Sequence, residues 1–126
     1  MIDHVSVGVA DLERSKAFYA AVLGAIGMRL LVERDAMAGF GKRYPELWIN
    51  HRPGMARLPD ATGTHICLRA RDQAAVEAFH AAALRLGGRD DGAPGPRAAA
   101  MTDYFAAFVR DPDGNRLEAA TFPGTP

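Results

Sequence analysis

The chain opens on an alternation. In "DHVSVGV" (residues 3–9), Val5, Val7 and Val9 fall on one face and His4, Ser6 and Gly8 on the other. A period of two predicts a strand whose valine face is packed. The period then changes. Leu12, Ser15, Phe18, Tyr19, Val22 and Leu23 recur at helical spacing, so a helix follows. Asp11 stands where a carboxylate accepts from the free N–H groups of a first turn, and Gly24 or Gly27 can end the helix in a left-handed conformation. "MRLLVER", "AMAGFGK" and "ELWINHR" read as three further strands.

The same order then returns. Residues 64–88, "THICLRARDQAAVEAFHAAALRLGG", align without a gap on residues 3–27. His65 meets His4, Asp72 meets Asp11, Phe79 meets Phe18, His80 meets Tyr19 and Gly88 meets Gly27. In "HICLRA", Ile66, Leu68 and Ala70 face one way, and His65, Cys67 and Arg69 the other. Asp72 caps a second helix with a stripe of Val76, Phe79, His80, Ala83 and Leu84, stopped by Gly87-Gly88. "YFAAFVRD" and "NRLEAATF" are strands flanking Asp111-Pro112-Asp113-Gly114, which is turn chemistry. "GGRDDGAPGPRAAAMTD" reads mostly as a loop with room for a short strand, and "RPGMARLPDATG" (52–63) as a linker.

The expected fold class is α+β: two tandem βαβββ modules, about 1–55 and 62–123, in one domain over 1–126. The helices must cover the packed faces, so the mixed sheets are free to curl into a cup with the helices outside. At 126 residues and 48% apolar content, a packed core is expected and two independent cores are not.

Charge narrows the partners. Fifteen basic and fifteen acidic side chains balance, which gives no case for nucleic acid or an anionic membrane and points to a small molecule. No apolar run approaches the roughly 20 residues that span a bilayer. The single cysteine, Cys67, excludes an internal disulfide and reads as a strand filler. The expected location is the cytoplasm.

The chemistry lies opposite the packed faces. There the alternation places His4 on the first strand, His65 on its repeat, and Glu118 on the last strand. Two neutral imidazoles and a carboxylate suit Fe(II), Mn, Ni or Zn. A carboxylate on a concave face loses hydration and needs a cation or donors; Arg69 and Arg116 are the competing partners. Trp48, the sole tryptophan, has the parity of a cup-lining residue. No Gly-rich nucleotide loop or Ser-His-Asp order is present.

"FYAAVLG", "THICLRA" and "DPDGNRLEAA" on this repeated framework resemble the vicinal oxygen chelate superfamily, the group of glyoxalase I, extradiol dioxygenases and bleomycin-resistance proteins. The resemblance implies two modules curled around a divalent metal (Fe, Ni, Mn or Zn), with His4, His65 and Glu118 at ligand positions. A fourth ligand position falls on the last strand of the first module. Read directly, "ELWIN" makes it Glu46; aligned as "LWINH" on "LEAAT", it is Trp48. Both share a face with Asn50. With Glu46, the resemblance implies a glyoxalase I-like lyase or isomerase, with Glu46 or Glu118 moving the proton. With Trp48, it implies a ring-cleaving extradiol dioxygenase, with His51 and Tyr104 as acid–base groups. A third outcome is a metal-free drug- or metabolite-binding cup with Trp48, Phe105 and Phe108 as stacking surface. Trp48, Asn50, Arg69, Tyr104 and Phe108 are the substrate-lining candidates. The resemblance also implies a homodimer.

Overall fold

In the computed structural model, which describes residues 1–123, the first alternating stretch forms β1 (Val5–Val9). The last three residues of the expected domain, 124–126, lie outside the described residues. Next comes α1 (Leu12–Gly24), where the Asp11 carboxylate accepts from Arg14 N at 3.1 Å. All six residues of its expected stripe are buried. β2 (Arg29–Glu33), β3 (Met37–Gly41) and β4 (Leu47–His51) complete the first module. The second module is β5 (Ile66–Arg69), α2 (Gln73–Arg85), β6 (Arg89–Arg97), β7 (Tyr104–Arg110) and β8 (Arg116–Thr121). Asp72 caps α2 by accepting from Ala75 N at 2.9 Å. The linker holds one short 3-10 turn, Asp60–Thr62.

The strands form two four-stranded mixed sheets, ordered β1-β4-β3-β2 and β5-β8-β7-β6. β1 runs parallel to β4 and β5 to β8, while the remaining pairs are antiparallel. Neither sheet closes into a barrel. α1 packs on β2, β3 and β4, α2 on β6, β7 and β8, and the two helices on each other. The expected α+β architecture of two βαβββ modules is thus present, each with a helix on its outer face.

One apolar cluster joins the modules. Phe18, Tyr19, Phe40, Leu47 and Ile49 from the first meet Phe79, Val109 and Leu117 from the second. Each such buried side chain contributes about 1.5–3 kcal/mol. Phe18 comes so close to Gly88 that a Cβ there would lie 2.7 Å from Phe18 Cε2. The left-handed residue after α2 is Gly87 (φ 91°), whereas Gly27 (φ 88°) serves after α1; the repeat slips by one residue at this point.

The Asp-Pro-Asp-Gly-Asn turn also does more than reverse the chain. Asn115 Nδ2 donates to Gly8 O at 2.9 Å, and Asp113 Oδ1 accepts from Ala10 N at 3.1 Å and Arg14 Nη2 at 3.2 Å. The turn of the second module is thereby plugged onto the first.

Three expectations need correction. "RDDGAPGPR" is a nine-residue strand, β6, rather than mostly loop. As an edge strand it pairs only with β7, through two register shifts, so prolines without an N–H are tolerated there. Leu84 is 45% exposed, and Ala82 is buried in its place on α2, while His80 keeps its place on the stripe, its side chain largely buried and 2.8 Å from Asp90 Oδ1 of β6. Phe105 turns to the core side, opposite Phe108, and packs on the apolar cluster. No helix among the described residues is long and apolar enough to cross a membrane.

Candidate functional site

β8 lies inside its sheet, so Glu118 is flanked on both sides: Cys67 of β5 is its register partner on one, Phe108 of β7 on the other. Its residue exposure is 3%. Glu118 Oε1 stands 2.9 Å from His65 Nε2, and Oε2 is buried with no hydrogen-bond partner. A buried polar atom left in that state costs about 1–3 kcal/mol, more when charged. Neither competing arginine relieves it. Arg116 Nε donates to Asp91 Oδ2, and its guanidinium lies 4.2 Å from the centroid of the Phe108 ring. Arg69 lies 4.5 Å over Phe122.

Aromatic rings wall this half of the site. Phe108 packs on His65 with centroids 5.7 Å apart, and Tyr104 stacks on Phe122 at 5.1 Å. Burial, and next the Glu118 charge, raise the Tyr104 phenol above its ordinary range and push the Cys67 thiol up to about 12. Both groups stay protonated at neutral pH, and hydrogen bonding toward the Glu118 carboxylate adds to each shift.

The first module presents a different half. Ser6 is paired with Trp48 as Cys67 is with Glu118, and Ser6 and Cys67 correspond in the repeat. Trp48 thus stands at the register position of Glu118. Glu46 precedes β4, exposed, with its carboxylate 3.5 Å from Lys42 N. His4 Nδ1 donates to Asp3 Oδ1 at 2.7 Å, and Tyr44 OH donates to Asp3 Oδ2 at 3.1 Å. The His4 bond first, then the Tyr44 bond, hold the Asp3 carboxyl below its ordinary value.

One chain brings together His65 and Glu118, ringed by Tyr104, Phe108 and Arg69. His4 and Glu46 share with His65 a cleft of about 330 Å³ between β1 and β5. Among the described residues, however, no three His, Cys, Asp or Glu side chains stand close enough to hold one ion. The expected meeting of three ligands is not reached within a single chain. Asn50 lies beside Trp48 on the inner face. His51 points away from both, into a cleft with Asp11 and Asp35. Asp3 and Asp91, which occupy His4 and Arg116, went unnoticed in the sequence. The signal available for Asp3 was its place directly before a ligand candidate, since a ring nitrogen on a metal site needs a partner for the other nitrogen.

Comparison with known proteins agrees with this architecture. A family model described as the glyoxalase/bleomycin resistance protein/dioxygenase superfamily matches residues 1–119. A glyoxalase/bleomycin resistance protein from Albidiferax ferrireducens is 32% identical, with a TM-score of 0.83, over 94% of this chain and 97% of that one. Glyoxalase I from Zea mays is 26% identical, with a TM-score of 0.73, over 94% of this chain and 45% of that one. A glyoxalase-related enzyme from Fulvimarina pelagi shares the fold at 19% identity, with a TM-score of 0.72, over 98% and 88% of the two chains.

Proposed function

This chain belongs to the glyoxalase/bleomycin resistance protein/dioxygenase superfamily, and from that premise we propose that it is a metal-dependent enzyme acting on a small substrate with two neighbouring oxygens. The observation that carries the reading is the buried Glu118 carboxylate, with one oxygen at His65 and the other without a partner. An imidazole and a carboxylate are donors that fit Fe, Ni, Mn or Zn. When bound, such an ion supplies Lewis acidity that draws charge from two adjacent oxygens.

His4, its ring fixed by Asp3, completes the donor set from the first module of a second copy, because no three donors within one chain stand close enough to hold an ion among the described residues. The working unit on this reading is a homodimer. Tyr104, held protonated, donates a hydrogen bond to a substrate oxygen. Phe108 and the Tyr104–Phe122 stack keep water from the buried carboxylate. Arg69, over Phe122, faces the same space and orients an electron-rich part of the substrate. Glu46, exposed and weakly held, is the carboxylate free to take a proton from a substrate carbon in a lyase or isomerase; Glu118 is engaged by His65. With Trp48 in the fourth position, three donors remain, the set suited to ring cleavage. The lone cysteine fits a reducing compartment, the cytoplasm.

A second reading, a metal-free binding or drug-sequestering protein, is favoured by one observation: an indole occupies the register position of Glu118 in the first module. Elemental analysis of protein purified without chelator separates the two. Near-stoichiometric Fe, Ni, Mn or Zn supports the enzyme, and metal that stays substoichiometric after soaking overturns it. Catechol cleavage in air with Fe(II), against isomerisation of a methylglyoxal–thiol adduct, then distinguishes the two reactions.

A further inference from the structure

β6 shifts register twice, and the first shift leaves Asp91 over: Asp90 stands opposite Val109 and Gly92 opposite Phe108, with no residue of β7 between them. An extra residue of this kind turns its side chain onto a new target. We infer that Asp91 is a positioning residue for His65, acting through Arg116 and Phe108. His65 is a metal donor only on the reading above, and to that extent the assignment rests on it.

His65 needs such a hold. Its side chain is 35% exposed, Nε2 meets Glu118, and Nδ1 has no hydrogen-bond partner among the described residues. A single bond leaves an imidazole free to pivot about it, and a ligand histidine ordinarily has its second nitrogen held. Asp3 does this for His4 on the first module. For His65 the restraint is packing: the Phe108 ring lies against it, with centroids 5.7 Å apart and planes tilted by 51°.

Phe108 is itself clamped. A Cβ on Gly92 would stand 3.1 Å from Phe108 Cδ1, so the bulged strand runs against the ring, and at φ 151° Gly92 takes a backbone that side chains rarely adopt. The Arg116 guanidinium covers the ring, 4.2 Å from its centroid. Arg97, at 5.9 Å, is farther and is engaged by the Ala93 and Pro96 carbonyls. Arg116 would not stay in place unaided. Its register partner on β7 is Arg110, and like charges directly opposite repel. Arg110 is 5% exposed and fixed by the Gly114 and Asp60 carbonyls, so Arg116, the more exposed of the two, is the one free to leave. Asp91 Oδ2 accepts from Nε of both arginines and removes the conflict.

Four histidines give four sets of imidazole signals, and the spectrum of His65→Gln identifies the set from His65. Carbon–proton NMR of the metal-free protein therefore reads this ring directly. In wild type the His65 signals are displaced by the Phe108 ring current, and Phe108→Leu marks where they fall without it. Asp91→Ala is expected to move them toward that position with His4 and His51 unmoved, and Asp91→Glu to bring them back. Arg116→Lys keeps a cation that can pair with Asp91 but loses the planar group on the ring. It is expected to move the same signals, and it serves where Asp91→Ala fails to fold. In metal titration, Asp91→Ala binds about tenfold more weakly than wild type. His65 signals unmoved in Asp91→Ala or in Arg116→Lys, or metal held by Asp91→Ala as tightly as by wild type, overturn the inference; a residue that merely anchored β6 would leave His65 in place when the ion pair is kept. Because the spectra are taken without metal, moved signals uphold the hold on His65 even where wild type binds no ion, and unmoved signals in a metal-binding protein remove Asp91 alone.

Discussion

The Tyr19 hydroxyl donates to Asp111 Oδ2 at 2.6 Å, across 92 residues of chain. Tyr19 belongs to α1 of the first module and Asp111 to the turn between β7 and β8 of the second, and both are buried. Burial first, then the Asp111 charge, lifts the Tyr19 phenol well above its ordinary value, so the proton stays on the tyrosine. Tyr19→Phe keeps the ring in the core and removes the donor. Its expected cost is about 1–3 kcal/mol in urea unfolding, because the Asp111 oxygen loses a partner out of reach of water. A change of only a few tenths would deny the bond that role.

Asp111 also makes a signed prediction for pH. Burial raises its carboxyl above 3.8, outweighing the bonds from Tyr19, Asn115 and Asp113 that pull it down. A carboxyl raised in the folded state binds protons that the unfolded chain does not. Its contribution is therefore complete below 3.8 and is lost as pH rises through the folded value. Asp72 behaves oppositely. Lowered chiefly by the Ala75 N–H, it contributes above 3.8 and fades as pH falls through its folded value. As the solution is acidified toward 3.8, wild type should gain stability relative to Asp111→Asn. A gap that stays level, or closes, contradicts the buried charge.

Cys67 is exposed, yet its thiol should be sluggish. The rise from 9.0 to about 12 leaves about a thousandfold less thiolate than an ordinary cysteine has at neutral pH. Iodoacetamide should alkylate the folded protein far more slowly than the urea-unfolded chain. Glu118→Gln removes the nearby charge and should accelerate labelling of the folded form. Equal rates in wild type and Glu118→Gln would mean that the carboxylate is not felt at the sulfur.

A site shared between two copies can be rebuilt from two defective chains. His4→Ala damages one half and Glu118→Gln the other, so each alone should bind metal poorly. Refolded together, they form mixed dimers with one intact site, and part of the metal capacity should return. A mixture no better than its components places all the donors on one chain.

Much of this was legible in the residue pattern, for a definite reason. Burial of Leu12, Ser15, Phe18, Tyr19, Val22 and Leu23 follows from helical spacing alone, and the caps at Asp11 and Asp72 need only one turn of chain. The pairing of His65 with Glu118 follows from strand parity plus the repeat. What stayed hidden depends on distance or register. Parity puts Glu46, Trp48 and Asn50 on one face and cannot choose between them, and the register that pairs Ser6 with Trp48 is visible only in the folded sheet. Alternation gives His4 its face and says nothing of the gap between sheets. β6 has no period because a bulged edge strand needs none. The Asp-Pro-Asp-Gly-Asn turn shows its local chemistry in sequence, but its bonds to Gly8, Ala10 and Arg14 bridge about a hundred residues.

Titration of metal-free protein with Ni, Zn, Mn and, under anaerobic conditions, Fe(II) asks most directly whether the Glu118 carboxylate is kept for a cation. For wild type, saturable binding of one ion per chain is expected, with Glu118→Gln and His65→Ala each weakening it at least about tenfold. Binding that is absent from wild type, or equally strong in both variants, would show that the partnerless oxygen beside His65 serves no metal.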